Sequence, residues 1–230
     1  MSVLDNDPFA PEELDDMLKE YLDMDSGPFP MLQHPLVYSV PYTPQMNKML
    51  NAQLNAKLEA CMKAEQNGNY EQLVFLQERP YRVNKLVGIS GWIDDDKRFW
   101  ELFASVYVDT ENLWQNVELW HFLIQSQDYR QCKEYAMDEE ERAAFEKLPD
   151  ELTVYRGYVH DESMLSYAWT LDKERAEWFA NRFGKQGNVV TGTVNKKDVF
   201  AYFTGRGEEE IVIFNAEEDV KVVDTVYANM

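Results

Sequence analysis

Near its C-terminus the chain reads Gly205-Arg206-Gly207-Glu208-Glu209-Glu210-Ile211-Val212-Ile213-Phe214. Glycine permits backbone angles that are closed to other residues, and the apolar run after the acids has the β-branched composition of a strand. The stretch therefore predicts a flexible turn that enters a buried strand. Because strand side chains alternate, Glu208 and Glu210 share one face if Glu210 is already extended. In so acidic a chain, a solvated turn that caps a strand is the competing interpretation.

The composition limits the function classes. The chain has 230 residues, 45% of them hydrophobic, which is enough for a sizeable core in one domain or two small ones. Its formal net charge of -20 repels phosphate backbones and anionic lipids, so the charge disfavours a nucleic-acid-coating role. One nucleotide in a local basic pocket remains compatible with it. The charge favours a basic protein partner, or serves solubility alone.

Cysteine and histidine are sparse. Cys61 and Cys132 lie far apart and outside any paired metal-ligand spacing, which fits a reducing compartment and two structural thiols. The chain has no run of about 18 to 20 apolar residues, and its N-terminus lacks the features of a secretory signal. We therefore expect a cytoplasmic protein with no metal centre and no membrane partner.

The sequence predicts three segments. Residues 1–44 read as an acidic, proline-punctuated appendage, in which Lys19 stands among nine acidic residues. We expect one short amphipathic helix there, then an extended segment, acting either as a docking arm or as a solubilising tail packed on the body. Residues 45–150 show helical spacing of apolar side chains, with helices expected to end near Asn67-Gly68-Asn69 and at Arg79-Pro80, and another opened by Asp138.

Residues 151–230 read as a β-rich core. After its first strand and helix, strands are expected at 188–194, 211–214 and 220–226, with a short helical turn or an irregular segment at 197–203.

The first strand of this core ends in Tyr155-Arg156-Gly157. A planar guanidinium suits bidentate contact with a phosphate, and a glycine beside it lets a ligand approach the backbone. The alternative for Arg156 is a surface salt bridge.

A strand-to-helix turn follows, with hydroxyls on Ser166 and Thr170 beside Tyr167 and Trp169, both expected to be exposed. Thr170 or Asp172 can cap the next helix, so this turn is either a cap or a ligand site. The predicted core face of that helix consists of Ala176, Phe179, Ala180 and Phe183.

The order of these motifs resembles that of ADP-ribosyltransferases of the arginine-serine-glutamate type, which include phage-encoded and bacterial-toxin members. The motifs are Tyr155-Arg156-Gly157, then Leu165–Thr170, then the acidic stretch at Gly207–Val212. The family's central motif is usually Ser-Thr-Ser or Ser-Trp-Thr. Here Ala168 stands at the serine position, and Ser166 lies two positions earlier. The resemblance implies an α+β fold, with a helical part before a split β-sandwich core at 151–230.

The resemblance also implies site residues and a substrate. Arg156 with Gly157 would hold a phosphate or ribose of NAD, which is the substrate, and no metal is involved. Ser166, Trp169 and Thr170 would line the nicotinamide side of the pocket.

The Glu-x-Glu pair would be Glu208 and Glu210. A carboxylate at Glu210 would stabilise the oxocarbenium-like sugar that forms as nicotinamide leaves, and Glu208 would orient or deprotonate the acceptor. A glutamate at the first position is associated with arginine acceptors in the family. We therefore expect transfer of ADP-ribose to a protein side chain, with arginine as the expected acceptor. The partner would be this target protein, in the host cytoplasm if the chain is phage-encoded. Tyr202 and Phe203 either contact the target or belong to the core. The alternatives are NAD hydrolysis, a nucleic-acid acceptor, or a non-catalytic acidic protein that binds a basic partner.

Overall fold

The structure is a computed structural model and describes residues 10–184, 186–207 and 209–228. Helices and antiparallel sheets both contribute, so the predicted α+β class is confirmed. The chain divides into two compact units. The first unit comprises the described residues up to Asp94 together with Ser105–Ser126, and the second comprises Asp95–Ala104 and the described residues from Gln127 onward.

Helices and strands are numbered in chain order. In the described residues the helices are α1 (Asp16–Lys19), α2 (Asn47–Gln66), α3 (Tyr70–Phe75), α4 (Arg82–Ile89), α5 (Asp96–Asp109), α6 (Val117–Ser126), α7 (Glu139–Glu146), α8 (Lys173–Ala180) and α9 (Ala216–Asp219). The strands are β1 (Leu22–Asp23), β2 (Met31–His34), β3 (Val37–Ser39), β4 (Glu151–Tyr158), β5 (Ala168–Thr170), β6 (Asn188–Asn195), β7 (Ala201–Phe203), β8 (Glu210–Val212) and β9 (Lys221–Tyr227). Among the helices of the described ranges, none is long and apolar enough to cross a membrane.

In the first unit, the acidic N-terminal segment folds onto α2. Strands β1, β2 and β3 form an antiparallel sheet, with Pro35 in the turn between β2 and β3. The buried side chains of this core are Leu14, Leu18, Leu32, Leu36, Val37, Tyr42, Leu50 and Leu54. The described part of the segment is thus packed on the body. The run after α1 contains extended strands, as expected, but these strands pair into a sheet that was not predicted. Prolines at the turn and flanks leave the paired strands uninterrupted.

Asn51 of α2 fastens the acidic segment. Its side-chain amide donates to the Glu12 carboxylate at 2.6 Å and to the Glu13 carbonyl at 2.8 Å. Its side-chain oxygen accepts the backbone N–H of Asp15 at 2.9 Å. Since Asn51 is buried, these bonds satisfy a polar group that would be costly to leave without partners.

Arg79-Pro80 begins a helix, and α3 already ends at Phe75. A 3-10 turn, Arg79–Tyr81, leads directly into α4, a helix that was not predicted. Proline is tolerated in the first turn of a helix because its missing N–H has no intrahelical acceptor there.

The second unit is organised around an antiparallel sheet in the order β7-β8-β5-β4-β6-β9. Strands β4 and β6 pair along their whole length, from Glu151 opposite Asn195 to Tyr158 opposite Asn188. The predicted strands at β4, β6, β8 and β9 are present. Strand β7 stands where an irregular segment was expected, and its three residues are all buried, so it carries no alternation to reveal it.

Aromatic rings from α5 pack against rings that flank β7 and β8. The ring centroids of Phe103 and Phe200 lie 5.6 Å apart, and those of Phe103 and Phe214 lie 6.1 Å apart. Trp100 is fully buried in the same cluster, 5.5 Å from Phe200. Edge and tilted contacts at these separations are favourable for aromatic pairs. They hold the start of α5 within the second unit.

Helix α8 lies directly against β4 at Gly157. A Cβ atom at Gly157 would come within 2.0 Å of the Ala176 carbonyl oxygen and 2.6 Å of the Ala180 nitrogen. Ala176 and Ala180 are buried, as the predicted helix face requires, and they pack with Val189 and the half-buried Tyr155. Small residues on both elements therefore permit a backbone-to-backbone approach.

Strand β9 forms one edge of this sheet. All its side chains are exposed, although its backbone pairs with β6 from Lys221 opposite Thr193 to Tyr227 opposite Asn188.

The glycine beneath α8 gives a stability prediction. Gly157→Ala should lower the free energy of unfolding by about 2 to 3 kcal/mol, because the methyl group has to displace helix backbone. Urea unfolding measures the change. Gly205→Ala is the matched control, since a Cβ there would meet no atom within 4 Å. Equal stability of the two variants would contradict the packing described.

Candidate active site

Three sequence-distant motifs meet on adjacent strands of the second unit. Thr170 of β5 lies opposite Tyr155 of β4 on one side and opposite Glu210 of β8 on the other. Residues that face each other across antiparallel strands have Cβ atoms about 4.5–5.5 Å apart and point to the same face. The structure therefore places the Thr170 and Glu210 side chains next to each other.

The ladder between β4 and β5 is the shortest in this sheet. Within the described residues, these two strands are joined by the single pair Tyr155 and Thr170. Continuing that register would place Ala168 opposite Gly157. Instead, the Ala168 carbonyl accepts a hydrogen bond from the Arg156 side chain. We refer to the place where the ladder between β4 and β5 stops as the junction.

Arg156 braces the junction. Its Nε–H donates to the Ser163 carbonyl at 2.9 Å, and its Nη1 donates to the Ala168 carbonyl. Both acceptors are neutral carbonyl oxygens, so these two bonds are not ion pairs. The guanidinium is half-buried and holds the segment before β5 against β4. It therefore brings a positive charge to the junction through a fixed, two-point attachment.

Gly157 has a different role from the predicted one. The sequence suggested that this glycine lets a ligand approach the backbone. The backbone of α8 fills that space, at Ala176 and Ala180. Gly157 is required for helix packing, and the helix shields it from a ligand on this face.

Trp169 and Tyr167 are buried, contrary to the prediction that they are exposed. Trp169 is 2% exposed and Tyr167 is 4% exposed. Trp169 lies opposite Ile211, on the sheet face away from Thr170, and its indole N–H donates to the Ser166 carbonyl at 2.8 Å. Aromatics next to small hydroxyl residues looked like a ligand surface, but alternation along β5 directs Trp169 into the core. Ser166 is half-buried and precedes β5.

Thr170 links the strand to α8. It is 6% exposed, and its hydroxyl accepts the Asp172 backbone N–H at 3.1 Å. The Asp172 carboxylate in turn accepts from the N–H groups of Glu174 and Arg175, so the predicted cap is present at Asp172. Thr170 thus supports the helix cap and also lies beside Glu210. The two interpretations of this turn, a helix cap and a ligand site, are therefore compatible.

The acidic loop has a constrained backbone. Gly207 has φ 64° and Glu209 has φ 44°, in the left-handed region where a residue with a Cβ is disfavoured. The Glu209 carbonyl accepts the Leu171 backbone N–H at 3.3 Å, which ties the loop to the end of β5. Glu209 is exposed and Glu210 is half-buried. Glu208 lies outside the described residues.

Tyr202 and Phe203, considered for contact with a target protein, are both buried in β7. Burial raises the pKa of the Tyr202 phenol, and the nearby carboxylates of Glu209 and Glu141 add to this effect. Glu141 also accepts the Thr204 backbone N–H at 3.0 Å. The start of α7 therefore supports the strand that leads into the acidic loop.

No protein family, curated protein or solved structure matches this chain. Within the described ranges, no group of three or more His, Cys, Asp or Glu side chains could hold a metal ion. The geometry at the junction is therefore what bears on function.

The two-point attachment of Arg156 is testable without a substrate. Arg156→Lys should raise amide hydrogen exchange in residues 161–168 about tenfold, because one ammonium cannot span both carbonyls and a charged hydrogen bond contributes about 1.5 kcal/mol. Hydrogen–deuterium exchange with peptide mass spectrometry measures this. Arg98→Lys, on an exposed position of α5, is the control. An unchanged segment 161–168 in Arg156→Lys would show that the guanidinium does not brace it.

The buried phenol of Tyr167 leads us to predict that the second unit loses stability at alkaline pH. Burial raises the pKa of its phenol from 10.0 to about 12. The neutral phenol is therefore favoured in the fold, and this stabilisation is complete below pH 10 and is lost as the pH rises from 10 to 12. Tyr167→Phe should reduce the alkaline loss of unfolding free energy by about 2 kcal/mol, measured by urea unfolding from neutral pH to pH 12. Tyr129→Phe, at an exposed phenol, should leave the loss unchanged, and an equal effect would contradict the assignment.

Proposed function

We propose that the chain is an ADP-ribosyltransferase that cleaves NAD at the junction and transfers ADP-ribose to a protein side chain, with arginine as the expected acceptor. The observation that carries this proposal is the row Tyr155, Thr170 and Glu210 across β4, β5 and β8. It brings the arginine motif, the hydroxyl turn and the acidic loop to one place. A split β-sandwich is the fold expected with this activity, and the narrow contact between β4 and β5 supports a sheet that parts there.

Glu210 is the candidate for the central acid. When the bond between nicotinamide and C1′ of the ribose breaks, its electron pair leaves with nicotinamide and positive charge develops on the sugar. A carboxylate fixed beside that sugar stabilises the charge. Pairing with Thr170 holds Glu210 at the start of β8.

Arg156 is the candidate phosphate ligand. Alternation directs Arg156 to the sheet face opposite Tyr155 and Glu210. Its guanidinium nevertheless ends at the Ala168 carbonyl, where the two strands part. A dinucleotide bound at the junction would contact Arg156 with a phosphate and Glu210 with the nicotinamide ribose. Glu208 would receive the proton that the acceptor nitrogen loses as it attacks C1′.

The first experiment is incubation of the pure protein with a cell lysate and NAD labelled in its adenosine half. Label on protein bands supports the proposed transfer. Label on ribonuclease-sensitive material identifies a nucleic-acid acceptor, and free labelled ADP-ribose identifies hydrolysis. Absence of nicotinamide release under all conditions would reject the enzyme and leave the non-catalytic acidic protein.

The second experiment compares the three acids of the loop. Glu210→Gln should lower nicotinamide release about 100-fold or more, because a neutral amide cannot stabilise the developing charge. Glu209→Gln is the matched control, since Glu209 is exposed and should turn over NAD at the wild-type rate. Glu208→Gln should lose transfer to protein and keep hydrolysis. Wild-type turnover by Glu210→Gln would show that the central acid lies elsewhere.

A further inference from the structure

Three tyrosines are grouped around Gln33 of β2 in the first unit. The Gln33 backbone N–H donates to the Tyr21 carbonyl at 3.2 Å, and the Gln33 carbonyl accepts the Tyr81 hydroxyl. Across the pair of β2 and β3, Gln33 lies directly opposite Tyr38. We call Tyr21, Tyr38 and Tyr81 the tyrosine face.

The tyrosine face is exposed on a firmly held backbone. Tyr38 is 45% exposed and Tyr21 is 40% exposed, while Val37 and Ser39 on either side of Tyr38 are buried. The Tyr21 ring stands edge-on to His34, with centroids 4.7 Å apart. The Tyr21 ring, held in this way, loses little conformational freedom when a ligand covers it. Burial raises the pKa of Tyr81, and the phenols of Tyr21 and Tyr38 add to it, as expected for neighbouring hydroxyls.

The chain segment that contains Tyr21 is rich in carboxylates. Glu20 and Asp23 flank Tyr21 in the chain, and further acids lie just before them. The acids of residues 10–25 are Glu12, Glu13, Asp15, Asp16, Glu20, Asp23 and Asp25, against Lys19 alone. The Lys19 ammonium lies 2.8 Å from Asp16 and 4.0 Å from Glu13, so its charge is already offset.

Cations near Tyr81 in the chain are also ion-paired. Arg79 contacts Glu111 and Asp109, and Arg82 contacts Asp109. A face with exposed aromatic rings and surplus carboxylates is complementary to a cation. Guanidinium groups are preferred over ammonium groups at such faces, because they stack on aromatic rings and bind carboxylates with two parallel hydrogen bonds.

We propose that the tyrosine face docks an arginine-rich segment of a partner protein. The net charge of -20 favours such a partner and opposes a second copy of the chain, a nucleic acid or an anionic membrane. Arginine side chains would lie over the Tyr21 and Tyr38 rings while the neighbouring carboxylates accept their N–H groups. This docking goes beyond the proposed NAD chemistry and does not require it.

The test uses a labelled oligoarginine peptide and fluorescence anisotropy at physiological salt, where diffuse attraction is screened beyond about 8 Å. The double variant Tyr21→Ala/Tyr38→Ala should bind about tenfold more weakly than wild type, although its net charge is unchanged. The double variant with phenylalanine at both positions should bind like wild type, because it keeps the rings. An oligolysine peptide of equal charge should bind more weakly than oligoarginine.

Tyr129→Ala is the matched control, because Tyr129 is 69% exposed and belongs to the second unit. It should bind oligoarginine like wild type. Wild-type binding by the double alanine variant, or an equal loss in Tyr129→Ala, would overturn the proposal and leave only diffuse charge attraction. Circular dichroism checks the fold of each variant. If the double variant is unfolded, Tyr38→Ala alone decides the question, since that side chain projects outward from β3 and its removal should still weaken binding measurably.

Discussion

The pairing of Tyr155 with Thr170 is the contact on which the arrangement of the second unit depends. It joins strands β4, β6 and β9 on one side to β5, β8 and β7 on the other. Without β5 between them, the arginine of β4 and the acidic loop before β8 would have no common neighbour. Beyond this pair the backbone ladder stops, and the Arg156 side chain supplies the next link through Ala168.

Close packing of α8 is the second constraint on the same place. Gly157 and Gly187 let the helix backbone approach the sheet, since a Cβ at Gly187 would lie 2.5 Å from the Ala180 carbonyl oxygen. Asp172 begins the helix directly after Thr170, and the Thr170 hydroxyl binds the Asp172 backbone. The position of Thr170, and through it that of Glu210, is therefore coupled to how the helix packs. Substitution of the small residues under α8 would therefore alter the positions of Thr170 and Glu210, although the substituted residues contact no ligand.

Local patterns in the sequence predicted much of the secondary structure. The helical spacing before Gly68 marked α2, the acidic residues at Asp138 marked the start of α7, and Asp172 with Ala176 and Ala180 marked α8. Each of these signals acts within a few residues, so no tertiary information is required. The order of the three motifs also led to the prediction that they meet, and the strand register brings Thr170 and Glu210 together.

Features that depend on distant partners were not predictable in the same way. Proline at position 80 looked like a helix end because its role as a helix start depends on the turn it enters. Strand β7 is too short and too buried to show a period, and the burial of Trp169 depends on the sheet face opposite Thr170 being covered. The function of Gly157 in packing required knowing that α8 returns over β4. Strand β9 was predicted, and its backbone pairs with β6 while its residues stay exposed, apart from a contact of the Thr225 side chain with Tyr158. Its outward positions therefore offer attachment points for a fluorophore or a surface linker, at which the protein can be labelled or immobilised with its interior left intact.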